Sequence, residues 1–182
     1  MANIDVKHLK IARRYADALI ETAKFENNLQ GVYDELVVVQ DILSSSNDLS
    51  DFLINPVIND NDKKDVLEKV FRNSVGNIVY NFLNLLVDNA RFDLFESVVI
   101  EYLSKLDQIN NIIKVDVLSA VELDEHMKSK IIEKLEYKTS KKVIANYDIN
   151  SEIIAGLVVK VNDKTIDTSL KTKLNAIKRQ LI

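Results

Sequence analysis

The sequence predicts an α+β protein: a bundle of about six helices over residues 1–107, then a small mixed α/β domain over residues 108–182. Three observations predict it. Through the first half, apolar residues recur every three or four positions, the spacing of helices that each bury a stripe. At Asn110-Asn111 the spacing drops to two, the period of a strand. The 182 residues also include only three Gly and one Pro, which favours long helices and leaves little material for Gly-lined loops.

The first helix, about His8 to Lys24, carries two apolar lines. Ala12, Ala16, Leu19 and Ala23 form one; their small side chains let another helix approach closely. Ile11, Tyr15, Ala18 and Thr22 form the other, which is either a wide core face or a docking surface. A second helix, about Leu29 to Leu43, repeats Val32, Leu36, Val39 and Leu43, and Ser44 to Asp48 breaks it with turn-forming residues. A short apolar turn, Leu49 to Ile54, leads to Asn55-Pro56, where proline disfavours further helix. Asp60 or Asp62 is expected to cap the next helix, through Leu67, Val70 and Phe71. After Gly76 comes the most apolar helix, Ile78 to Val87, again with two lines: Ile78, Phe82, Leu85 and Val79, Leu83, Leu86. The last helix of this half runs from about Phe92 to Asn110.

In the second half, Ile113, Val115 and Val117 alternate with Lys114 and Asp116 as a strand. Asp124 starts a helix with Met127, Ile131 and Leu135 facing inward. Val143, Ala145, Tyr147 and Ile149 alternate as a second strand. Gly156 opens a third, Leu157 to Val161; Asn162-Asp163 makes a hairpin turn, and Lys164 to Ile166 returns as a fourth. Asp167 is placed to cap a final basic amphipathic helix, with a stripe of Leu170, Leu174, Ile177 and Leu181. The order β-α-β-β-β-α reads as a mixed sheet with helices packed on it. The domain boundary is expected near residues 105 to 112, without a flexible linker.

Composition excludes several classes. Hydrophobic residues at 47% and charged residues at 29% are ordinary for a soluble globular protein. Cys is absent, so disulfides and thiolate metal sites are excluded. The N-terminal stretch mixes acids and bases with no signal-peptide core, and no apolar run approaches a membrane span, which leads to the expectation of a soluble cytoplasmic protein. Residues 1–105 hold 11 Lys+Arg against 17 Asp+Glu, while residues 106–182 hold 13 against 11. An acidic half followed by a mildly basic one suits two domains with different partners, and is too weak a bias to indicate nucleic acid.

No constellation for catalysis emerges. With Gly only at 31, 76 and 156, neither common phosphate loop can be built. His8 and His126 lie in different halves, and Asp60-x-Asp62 lacks the Gly and the distal acid of a calcium loop. Ser44 to Ser46 has no nucleophile elbow. Catalytic, cofactor and metal sites are therefore not expected, and a binding or structural module is.

Five stretches in register carry a family resemblance: residues 11–19 (IARRYADAL), 55–71 (NPVINDNDKKDVLEKVF), 81–95 (NFLNLLVDNARFDLF), 115–123 (VDVLSAVEL) and 155–174 (AGLVVKVNDKTIDTSLKTKL). Together they resemble the delta subunit of bacterial F-type ATP synthases, the counterpart of the mitochondrial oligomycin-sensitivity-conferring protein. The sequence departs from that pattern at Ala90, Asn162 and Thr168, where the family often has Gly, which puts local turn geometry in question.

The resemblance implies a stator subunit and not an enzyme. The helical domain would hold amphipathic N-terminal helices of alpha subunits on top of the catalytic head, and the C-terminal domain would hold the C-terminal end of the b-subunit stalk. Such a joint resists rotor torque and so couples proton flow to ATP synthesis, as a peripheral part of a complex on the cytoplasmic face of the plasma membrane. The alpha-contacting positions would be Tyr15, Ala18 and Leu85, flanked by Ile11, Thr22, Ile78 and Phe82. Gly156, Asp167, Ser169 and Leu174 match the family motif and read as strand packing, helix cap and core. Lys171, Lys173, Lys178 and Arg179 are candidate stalk contacts. A competing reading is an RNA-binding α/β protein using the basic last helix. Against it, the last two strands carry no aromatic residue to stack bases, and the first half is acidic.

Overall fold

The computed structural model describes residues 6–150, 153, 155–161 and 164–167. The chain divides into two compact units, Met1–Leu106 and Asp107–Ile182. In the first, α1 (Val6–Phe25), α2 (Leu29–Ser45), α3 (Asn47–Ile54), α4 (Asp60–Phe71) and α5 (Asn77–Asp88) are followed by a single 3-10 turn, Phe92–Leu94, that leads into α6 (Phe95–Ile109). The core takes one line from each helix. Ala12, Ala16 and Ala23 of α1 are wholly buried, with Val32, Leu36 and Val39 of α2 and Val79, Leu83 and Leu86 of α5. Leu53, Leu67, Phe71, Val98 and Tyr102 complete it. Each large aliphatic side chain so buried contributes about 1.5–3 kcal/mol of transfer free energy.

Tight turns close the helices. At the end of α5, Arg91 N–H donates to Leu86 C=O and Ala90 N–H to Val87 C=O, both at 2.9 Å. That pairing requires a left-handed residue, and Ala90 adopts φ 49°. Asn27 plays the same part after α1 at φ 53°, with Asn28 N–H donating to Ala23 C=O. The departure from Gly at position 90 therefore leaves the turn intact while placing a Cβ where L-residues are strained.

Several local expectations are corrected. Leu49 to Ile54 belongs to a helix, α3, because Ser46 caps it by accepting from Leu49 N–H. The cap of α4 is Asn59, whose side chain accepts from Asn61 N–H at 3.0 Å, and Asp60 is the first helical residue. A carboxylate inside the first turn still favours the helix through its dipole.

The second unit holds β1 (Ile112–Ser119), α7 (Glu125–Thr139), β2 (Lys142–Ile149), β3 (Leu157–Val161) and β4 (Lys164–Asp167). The sheet order is β2-β1-β3-β4, with β1 parallel to β2 and antiparallel to β3, and β3 antiparallel to β4. The helix α7 supplies the crossover that a parallel pair needs. Asp124 caps it, accepting from Met127 N–H at 2.6 Å. Val115, Val117, Val143 and Val159 pack with Leu135 as a second core. One residue expected to face inward does not: Met127, in the first turn of α7, is 52% exposed. Ile149, where β2 ends at the sheet edge, is exposed as well.

The largest fully buried side chain, Tyr102, stacks on Tyr33 and donates its hydroxyl to Leu29 C=O at 2.9 Å. Burial pushes its phenol up to about 12 from 10.0. The folded state thus retains a proton that the unfolded chain releases, so this contribution to stability is intact below pH 10 and is lost as pH rises from 10 towards 12. Tyr102→Phe should cost about 1 kcal/mol near neutrality and flatten the loss of stability above pH 10. Urea unfolding on both sides of that pH checks it; parallel pH profiles would show that Tyr102 does not hold the proton. Ala90→Gly should raise stability by about 1 kcal/mol in the same measurement by relieving the left-handed alanine.

Candidate functional site

The helices α1 and α5 each carry two apolar lines, and the bundle buries one of each. On α1 the buried line is Ala12, Ala16, Leu19 and Ala23. The flank of α1 beside α6 is held by charge: Arg13 Nε lies 3.2 Å from both carboxylate oxygens of Glu101, and Lys105 pairs with Asp17. Exposed pairs like these contribute little stability each, and the buried line decides which way the helix is turned. The second line of α1 is left facing α5 across a groove.

That groove is lined by Tyr15, Ala18, Thr22, Ile78, Phe82 and Leu85, with a volume of about 440 Å³. It continues into a second depression of about 550 Å³ lined by Ile11, Tyr15, Ala18 and Leu85. All seven positions singled out from the sequence therefore meet on one surface. Their depths differ. Phe82 is 4% exposed and forms the floor, where it meets the edge of Tyr15 at 6.2 Å between centroids and lies against Phe95. Ile11, Tyr15 and Ile78 are half-buried walls, while Ala18 and Thr22 are open to solvent. Leu85, at 46% exposed, is a large apolar side chain with nothing over it. The Thr22 hydroxyl donates to Ala18 C=O at 2.9 Å, so the polar atom on this line is already satisfied along its own helix.

Sequence reasoning missed the polar rim. Lys10, Arg14 and Arg91 stand at one end of the groove; Glu26, Asn77 and Asn81 stand at the other. The signal was present, because positions 10, 14, 18, 22 and 26 follow one another at steps of four, as do 77, 81 and 85. A search for apolar lines alone passes over it.

In the second unit, Gly156 is exposed at φ 103° immediately before β3, so its value there is conformational freedom and not the strand packing expected of it. Asp167 is the last residue of β4, opposite Val158. Ser169, Leu174, Lys171, Lys173, Lys178 and Arg179 lie outside the described residues, as does the expected final helix. Another apolar depression, of about 390 Å³, is lined by Val121, Leu123, Met127, Ile131 and Leu157. Among the described residues, no group of acids or histidines is arranged to hold a metal ion, and no helix is long and apolar enough to cross a membrane.

These features define an α+β module with an apolar groove between two helices of its first unit. The chain belongs to the ATP synthase delta (OSCP) subunit family, whose model matches residues 11–181. It is 36% identical over 171 residues to the ATP synthase subunit delta of Chlorobaculum parvum, covering 94% of each chain. It is 34% identical to the chloroplastic subunit of Gracilaria tenuistipitata var. liui, again over 94% of each. The sodium ion specific subunit delta of Ilyobacter tartaricus is 33% identical, over 93% of this chain and 97% of that one. A chain in a cryo-EM structure of the Toxoplasma gondii mitochondrial ATP synthase hexamer shares the fold, with a TM-score of 0.64 at 22% identity over 93% of this chain and 96% of that one. None of these lends support to the RNA-binding reading.

The depths within the groove give a stability test. Leu85→Asp should shift stability by no more than about 0.5 kcal/mol, whereas Phe82→Ala should cost about 3–5 kcal/mol. Thermal unfolding of the two variants decides it. A cooperative transition lost in Leu85→Asp would mean that this side chain is core.

Proposed function

We propose that the groove between α1 and α5 receives an amphipathic N-terminal helix of an ATP synthase alpha subunit, and that residues 107–182 receive the C-terminal region of the b-subunit stalk. The setting is that of the family: the chain is a structural, non-catalytic stator subunit of the F-type ATP synthase, a peripheral part of the complex. The observation that carries the alpha assignment is the second apolar line. Two neighbouring helices each leave one uncovered, and the two lines face each other across a groove that suits a third helix. A partner helix seated there would bury Leu85 and Ile78 against its own stripe, adding apolar contact without rearranging the bundle. Holding the head at one unit and the stalk at the other is how a stator joint resists torque and keeps proton flow coupled to synthesis. On this reading the subunit sits at the cytoplasmic side of the membrane, away from the bilayer itself.

Calorimetric titration of the full chain with the N-terminal peptide of its own alpha subunit tests the groove. Saturable binding is expected for wild type, with affinity lowered at least about tenfold in Leu85→Asp, since a charge would be buried against an apolar stripe. Circular dichroism confirms that the variant is folded. Equal affinity in wild type and folded variant would remove the groove from the interface.

A further inference from the structure

We infer that the groove is polar end to end in a way that sets the direction of the docked helix: its partner is an amphipathic helix with acidic residues gathered at one end, and that end lies over Lys10, Arg14 and Arg91. The inference rests on the groove being the helix-docking site proposed above.

The argument is one of charge at the two ends. Lys10 and Arg14 stand on α1 and Arg91 follows the turn that closes α5, so two elements converge three cations on the same mouth. All three are exposed, and among the described residues none of them forms an ion pair. The neighbouring bases of α1 and α6 are engaged elsewhere: Arg13 with Glu101, and Lys105 with Asp17. At the far mouth stand one carboxylate, Glu26, and the amides of Asn77 and Asn81. Arg72, beside that mouth, is occupied, since it donates to Asn77 Oδ1 at 3.2 Å and lies 4.8 Å above the Tyr80 ring. The middle of the groove, from Ala18 to Leu85, is apolar and gives a sliding or reversed helix no reason to prefer one direction. Direction therefore has to come from the ends.

The left-handed turn at Ala90 gives the device its geometry. It reverses the chain within two residues of the end of α5, which brings Arg91 back to the mouth that Lys10 and Arg14 already line. Magnitudes decide between the two electrostatic effects on a docked helix. Its macrodipole places only about half a charge at each end, whereas a cluster of carboxylates meets three whole charges, so side-chain charge outweighs the dipole. Acids at the partner's C-terminal end would have both effects acting together; acids at its N-terminal end would turn the helix round. Exposed rim charges act on orientation and association rate more than on final affinity, and they weaken with salt.

Two synthetic peptides of identical composition test this, each with a Leu stripe at helical spacing. One has a cluster of Glu in its first turn and the other has the same cluster in its last turn, and each carries a nitroxide at the acidic end. Both are titrated into the ¹⁵N-labelled full chain at low salt. The expected result is selective broadening of the Lys10, Arg14 and Arg91 amides by both peptides, which means that they dock in opposite directions. The double variant Arg14→Gln, Arg91→Gln should let each peptide also broaden Thr22 and Asn77, and should weaken both only about threefold at low salt and less at high salt. Broadening at Thr22 and Asn77 of the wild type by either peptide, or affinities unchanged within about twofold in the folded double variant, overturns the inference. If the alpha peptide binds and neither designed peptide does, the inference falls and the proposed function stands. If the designed peptides bind as expected and the alpha peptide does not, the inference stands and the proposed function falls.

Discussion

A helix at the edge of a bundle can bury one stripe, and α1 and α5 each carry two. The buried stripe of α1 is built largely from alanines, and on its spare line Tyr15 meets Phe82 of α5, which fills the space beneath it. The remaining lines then face each other, with the pairs Arg13–Glu101 and Lys105–Asp17 on another flank of α1. Packing on one side of the helix thus leaves the groove on the other.

The groove is a compromise between stability and availability. Phe82 belongs to the core and holds the floor whether or not a partner is present. Leu85 contributes little to the free protein and stays available for contact. Large apolar side chains held uncovered in one place mark an interaction site more securely than their number does, because isolated ones are common on any surface. Here the uncovered residues are consecutive members of two stripes.

Much of this was legible in the sequence, for identifiable reasons. Helical spacing with a break at each turn gave five of the helices of the first unit, with α3 read as a turn, and the drop to a period of two gave the start of the sheet. The seven groove positions could be named because each lies on the spare line of a helix that already has a full one. What could not be read was local or electrostatic. Ser46, read as part of a break, caps a helix, and Asn59 caps α4 in place of Asp60 or Asp62, since several capping types crowd each start and only the backbone selects one. Met127 matches the inward spacing of α7, but a first-turn residue can project past the edge of the sheet. The rim of Lys10, Arg14 and Arg91 escaped because Arg91 joins the others only through the left-handed turn at Ala90.

The order of strands in the second unit has a consequence for how the chain is made. The first strand synthesised, β1, is an inner strand of the sheet, flanked by β2 and β3. Its partners emerge later: Val117 pairs with Tyr147 on one side and with Val159 on the other. The helical unit can complete its core as soon as Leu106 has left the ribosome, because its core residues all lie at or before that position. The apolar face of β1 must wait for most of the remaining chain, and at about 5–20 residues per second that wait lasts seconds. Both edges of a β-branched strand stand unpaired until β2 arrives, and one edge stays so until β3 does. The vulnerable interval in the life of this protein falls during its own synthesis, between the finishing of one unit and the arrival of β3.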